Sequence, residues 1–190
     1  MNTQQKDKIF HNIKTNHLTR CAIFVSLLSL SSQLSISMGP IPMNMATLMV
    51  LLTGLLLGTL YGSLCIAIYL ILGTLGLPIF SNFGGGIGHI MGPTGGFLLS
   101  YLPACCIMGL ASKYKYSNKR PKNFTRLLII IYCTVATLLI YTIGTIWFAN
   151  YTKKTIDQSL VLTVYPFLIG DAFKIAISIV LHEKLTRLKI

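Results

Sequence analysis

The chain has 190 residues and a mass of 20.9 kDa, with 53% hydrophobic residues, 11% charged residues and a mean hydropathy of +0.70. Lys and Arg number 16 against 4 for Asp and Glu, a net charge of +12, yet the stretch from Cys21 through Ser112 contains no Lys, Arg, Asp or Glu at all. Soluble domains carry about 25% charged residues, so this is the sequence of an integral membrane protein; no nucleic-acid partner is expected, because the cations cluster between apolar blocks instead of on a solvated surface.

Residues 1–18 read as a basic cytoplasmic N-terminus. The apolar run after Arg20 resembles a signal peptide, but it continues through Ser29-Leu30-Ser31-Ser32-Gln33 into more membrane segments without a small-residue cleavage pattern, which marks a retained helix. A crossing takes about 20 apolar residues. Six segments qualify: 19–37, 43–60, 62–76, 95–112, 126–149 and 160–182. Pro40 and Pro42 break the chain after the first. The second and third are divided near Tyr61-Gly62; a single long bent segment, at about 35 apolar residues, is too long for one crossing. Leu77-Pro78 ends the third, and Thr94 is the expected N-cap of the fourth. The fold expected is an all-α membrane protein, a six-transmembrane-helix bundle over residues 19–184 with an ordered outer Gly-rich loop at 77–93, a basic cytoplasmic loop at 113–126 and a cytoplasmic tail at 185–190.

With the N-terminus inside, the cations of the N-terminus, of the 113–126 loop and of the C-terminus all face the cytoplasm, leaving Lys153 and Lys154 outside and Lys174 within a helix. That satisfies the positive-inside rule and puts both termini in the cytoplasm of a multi-pass plasma or inner membrane protein. Trp147 and Tyr151 then fall at the outer interface, and Tyr114 and Tyr116 at the inner one. The five cysteines lie within apolar blocks and read as small buried hydrophobes; no metal-ligand spacing appears.

Asp171 and Lys174 carry the chemistry. Asp171 lies about 11 residues into the sixth helix, roughly 16 Å deep, and an i, i+3 spacing puts Lys174 on the same face. A charge at such depth costs roughly 3 kcal/mol or more. Two readings explain its retention: an ion pair fixing helix register, or a polar anchor for a solute, and the second is favoured. The uncharged loop from Leu77 to Gly96 is too apolar for an ordinary solvated connection. It reads as a lid, with Asn82 offering a donor and an acceptor, against the alternative of a flexible or re-entrant loop. No Gly-Lys-Ser/Thr follows the glycines, so phosphate-loop chemistry is excluded, and His89 reads as a lid or interface residue. Ala22 and Ser26 form a small-residue pair on the first helix, open to a partner subunit or to internal packing; Gly54 and Gly58 are assigned to internal packing. An intramembrane enzyme would need a second carboxylate or an activated nucleophile, and neither is present.

Three motifs carry a family likeness: Gly39-Pro40-Ile41-Pro42 with Thr47-Leu48 and Leu51 to Gly58; Gly76-Leu77-Pro78-Ile79-Phe80 with Gly84 to Gly88 and Gly92-Pro93-Thr94-Gly95-Gly96-Phe97; and Pro166 to Asp171 with Lys174. They resemble the BioY family, the biotin-specific S components of energy-coupling factor transporters, over about residues 20–182. The resemblance implies a membrane-embedded subunit that captures biotin from outside and delivers it inward, with a transmembrane coupling subunit and two ATPase subunits as partners and no cofactor of its own. It implies that Asp171, Lys174 and Asn82 contact the ligand's polar groups, that Phe80 and Phe83 cover its apolar parts, and that Ala22 and Ser26 dock on the coupling subunit. Asn44 and Ala46 stand where the family commonly has Thr and Gln, with Asn44 a substitute polar contact. An S component for another vitamin and a solitary biotin facilitator are the alternatives.

Overall fold

A computed structural model describes residues 3–36, 39–114 and 122–187. The central part of the basic loop, including Tyr116, and residues 185–190 beyond Arg187 therefore lie outside the described residues. In chain order the elements are α1 (Thr3–Gln33), the short antiparallel hairpin β1 (Ser35–Ile36) and β2 (Met43–Asn44), α2 (Ala46–Thr74), α3 (Ile87–Met91), α4 (Gly95–Ala111), α5 (Lys122–Thr152), α6 (Ile156–Thr163) and α7 (Leu168–Arg187). Helix α2 packs along α1 and α4, α4 continues onto α5, and α7 closes against α2 and α5.

The bundle is apolar inside and out, as a bilayer requires. On α5, Ile129, Cys133, Ala136 and Ile140 are buried, while Leu127, Ile131, Val135 and Leu138 are exposed on the opposite face. An exposed stripe of that kind faces hydrocarbon, where every backbone polar group is satisfied within the helix. Among the described residues α2 and α5 are each long and apolar enough to cross a membrane, and α6 with residues 168–181 of α7 forms a bent apolar pair that passes the same test only when taken together. The inner packing uses small residues: a Cβ on Gly54 of α2 would lie 2.5 Å from the Cys105 carbonyl oxygen, and one on Gly109 of α4 2.4 Å from Thr59 Cα.

Several expected boundaries move. The first segment ends at Gln33, short of residue 37, because the chain turns into the hairpin. The second and third meet at Gly58, not at Tyr61-Gly62: Gly58 adopts φ 79°, ψ −179°, a region that only glycine enters readily. Gly58 thus bends the chain, and of the expected Gly54–Gly58 pair Gly54 makes the closer approach to α4, a Cβ at Gly58 standing 3.3 Å from Ser112 Oγ. The sixth segment is two helices meeting at 54°. Pro166 lacks an N–H and cannot continue a helical ladder, so Val164–Phe167 form a turn and α7 starts afresh at Leu168. Asp171 accordingly sits in the first turn of α7, not eleven residues into a continuous helix. Thr94 precedes α4 but does not cap it; its hydroxyl donates to the His89 carbonyl.

Candidate functional site

The break before α7 explains how a carboxylate is kept in an apolar bundle. In the first turn Asp171 faces the positive end of the helix macrodipole. Its Oδ1 lies 2.6 Å from Lys174 Nζ, and its Oδ2 accepts a short hydrogen bond from the Tyr141 hydroxyl on α5. Lys174 Nζ also donates to Thr47 Oγ1 at 2.9 Å, in the first turn of α2. Both charged residues are buried, at 6% and 4% exposure. Oδ1 receives no well-aligned hydrogen bond among the described residues; the 2.6 Å approach of Nζ is an ion pair, and the oxygen retains capacity to accept from a ligand N–H.

This cluster forms one wall of a cavity of about 390 Å³, within the size range of small-molecule sites, about 300–1,000 Å³. Phe97, Leu98 and Tyr101 of α4 and Phe167 of the α6–α7 turn supply apolar walls, with Pro40 to Asn44 at one side. The lid supplies Phe80, Ser81 and Asn82 and, farther on, Gly88, His89 and Gly92 to Thr94. The site is therefore a mostly apolar chamber with one buried, internally braced ion pair, suited to a small amphipathic solute with hydrogen-bonding groups at one end.

The lid is ordered by specific contacts. Phe80 is 1% exposed, its ring edge-on to Tyr69 at a centroid distance of 5.4 Å, and it fits because residue 73 is glycine: a Cβ there would lie 2.2 Å from Phe80 Cζ. Tyr69 donates to the Ile79 carbonyl at 3.3 Å and shares a 2.8 Å hydrogen bond with Ser32. At the other end of the lid Trp147 Nε1 donates to the Gly92 carbonyl at 2.9 Å. His89 Nδ1 lies 3.1 Å from the Gly85 carbonyl oxygen, within the lid itself.

Asp171, Lys174, Asn44, Asn82 and Phe80 all line the chamber. Asn44 Nδ2 donates to Ser81 Oγ at 2.5 Å and its Oδ1 accepts from the Ala46 N–H at 3.0 Å, so it joins the start of α2 to the lid. Asn82 stands at the rim, where its Oδ1 accepts from Ser35 Oγ at 2.8 Å. Phe83 is the exception: it is 73% exposed and outside the cavity lining. The 3₁₀ turn Ser81–Phe83, with positive φ at both Asn82 and Phe83, directs consecutive side chains apart. Ala22 and Ser26 are exposed on α1, away from the interior. Sequence reasoning missed Tyr141, Thr47 and Tyr101 as members of the site. Thr47 stood inside a motif, but nothing in α5 distinguishes Tyr141 from an interfacial tyrosine until the helices are packed.

The BioY family model matches residues 2–189. The chain is 37% identical over 174 residues to the "Probable biotin transporter BioY" of Pyrococcus horikoshii, covering 91% of this chain and 98% of that protein. It is 30% identical over 174 residues to the "Biotin transporter BioY" of Thermotoga maritima, covering 91% and 97%. Its fold matches the crystal structure of "the S-component for biotin from an ECF-type ABC transporter" with a TM-score of 0.78 at 22% identity, over 98% of this chain and 95% of the other.

Proposed function

The chain belongs to the BioY family, and from that premise we propose that it is the membrane-embedded substrate-binding subunit of a biotin uptake system, a transport protein and not an enzyme. The observation that carries this reading is the buried Asp171–Lys174 pair, braced by Tyr141 and Thr47, on the wall of an apolar chamber of about 390 Å³ under an ordered lid. Biotin has the matching chemistry: a ureido group with two N–H donors and a carbonyl acceptor, an apolar ring and chain, and one carboxylate. Asp171 Oδ1 accepts from the ureido N–H, Lys174 donates to an acceptor oxygen, and Phe80, Phe97 and Phe167 pack on the apolar parts. Asn44 and Asn82 tie the lid edge above them.

The distribution of cations supports an orientation with both termini in the cytoplasm and the lid outside. Capture from outside followed by inward delivery then requires a second conformation with lower affinity, since equal affinity for both states shifts nothing. The matched S-component comes from an ECF-type ABC transporter, which supports partner subunits; we read these as a transmembrane coupling subunit and two ATPase subunits, with the exposed Ala22 and Ser26 letting a partner helix approach α1 closely.

Detergent-purified protein titrated with labelled biotin is expected to show saturable binding that excess thiamine or riboflavin leaves in place. Absence of binding, or displacement by either vitamin, overturns the ligand assignment. Ala22→Leu and Ser26→Leu are expected to retain binding while abolishing uptake in cells that supply the partner subunits; retained uptake removes α1 from the docking surface.

A further inference from the structure

We propose that Gln33, the last residue of α1, is the latch that holds the lid over the chamber. It is a positioning residue: it is absent from the cavity lining, yet its side chain engages the lid three times. Its Nε2 lies 3.1 Å from the Pro78 carbonyl oxygen and 3.1 Å from that of Phe80, and donates to both, while its Oε1 accepts from the Phe83 N–H at 2.8 Å. The amide is the one uncharged side-chain group that offers donors and an acceptor together at this reach. A carboxylate would face two carbonyl oxygens with no proton to give, and an ammonium would leave the Phe83 N–H unanswered.

These bonds bracket a segment that does not hold its own shape. Asn82 and Phe83 are consecutive non-glycine residues in the left-handed region, at φ 58° and 56°, a conformation that persists only where its surroundings over-determine it. Within the loop, the Phe80 N–H donates to the Gly84 carbonyl at 2.9 Å and the Gly84 N–H to that of Ser81 at 3.1 Å. Those two bonds close the turn on itself and leave its position relative to α1 open. Gln33 fixes that position. Ser35, just beyond the helix, adds the contact to Asn82. Phe80, Ser81 and Asn82 are the lid residues held between the Gln33 bonds, and all three line the chamber. Phe80 remains seated against Tyr69 beside Gly73 and Ser81 keeps its bond from Asn44, so loss of the latch lets the turn beyond them relax toward ordinary φ values and loosens Asn82 and the rim of the lid at the pocket mouth.

The inference rests on the reading that the chamber takes biotin, and its test separates the two. In Gln33→Met, nearly equal in length but unable to make any of the three hydrogen bonds, labelled biotin is expected to dissociate at least tenfold faster, and the Phe83 amide to exchange at least tenfold faster in ligand-free protein, with amide exchange in the α2 core unchanged. Adding Phe83→Gly, which relieves the left-handed strain at a residue outside the pocket, is expected to recover a substantial part of the dissociation rate. A parental dissociation rate and a parental Phe83 exchange rate in Gln33→Met overturn the latch. Equal impairment with and without Phe83→Gly, or accelerated exchange throughout α2, also overturns it, because Gln33 would then act on the fold as a whole. If the parent itself binds no biotin, the functional reading fails, and the Phe83 exchange rate alone decides the latch.

Discussion

The buried ion pair gives the sharpest test, because scaffold and binding roles predict opposite behaviour when one or both charges are removed. Lys174→Met leaves Asp171 buried at 6% exposure with, among the described residues, only the Tyr141 hydroxyl as an intramolecular donor. Breaking a buried pair from one side costs about 3–5 kcal/mol, because a charge remains without compensation. The double variant Asp171→Asn/Lys174→Met removes both charges at little change in volume; replacing a whole buried pair is often neutral. Unfolding by a denaturing detergent is therefore expected to show a loss of about 3–5 kcal/mol for the single variant and recovery of most of it in the double. Biotin affinity does not recover. A hydrogen bond to a charged group contributes about 1.5–3 kcal/mol, so loss of even one weakens binding by about 10- to 150-fold, measured by equilibrium titration of the purified protein. If the double variant binds biotin as the parent does, the pair serves the scaffold and the site assignment fails. If the double is as unstable as the single, the pair is a net stabilising element and its retention needs no ligand.

Other outcomes follow from single contacts. Gly73→Ala drives a methyl to 2.2 Å from Phe80 Cζ; overpacking of this kind costs about 1–3 kcal/mol, and displacement of Phe80 is expected to weaken biotin binding about tenfold in the same titration. Trp147→Phe removes the bond to the Gly92 carbonyl; the expected cost is about 1 kcal/mol, read in denaturant unfolding, with faster amide exchange confined to the lid. Gly58→Ala forces a Cβ into the φ 79°, ψ −179° region, for a loss of about 1–3 kcal/mol in unfolding free energy. Biotin affinity is expected to stay within about twofold there, because Gly58 lies outside the chamber lining.

The membrane character, the succession of apolar segments and the prominence of Asp171 and Lys174 were legible in the chain, because each depends on composition or local spacing. Charges missing from Cys21 through Ser112 cannot be hidden by folding, and an i, i+3 pair shares a face in any helix. The lid was legible as an uncharged, glycine-rich and aromatic loop. Hydrophobicity alone did not mark where apolar segments bend, so Gly58 and Pro166 escaped as break points although their residue types carried the signal.

Other features belong to the tertiary structure alone. Tyr141 and Asp171 are 30 residues apart, and Lys174 and Thr47 are 127 apart; no local pattern announces that α5, α7 and α2 converge there. The orientation of neighbouring lid residues was likewise decided by packing. Phe80 turns inward because Gly73 leaves room beside Tyr69, whereas Phe83 turns outward because Gln33 captures its backbone N–H and the left-handed turn reverses the side chain. Local sequence fixes which residues resist lipid and which permit a bend, since those are properties of single residues and their neighbours. Which of them meet around one chamber is settled only when helices distant in the chain pack together, because partners for buried charges come from whatever surface lies opposite.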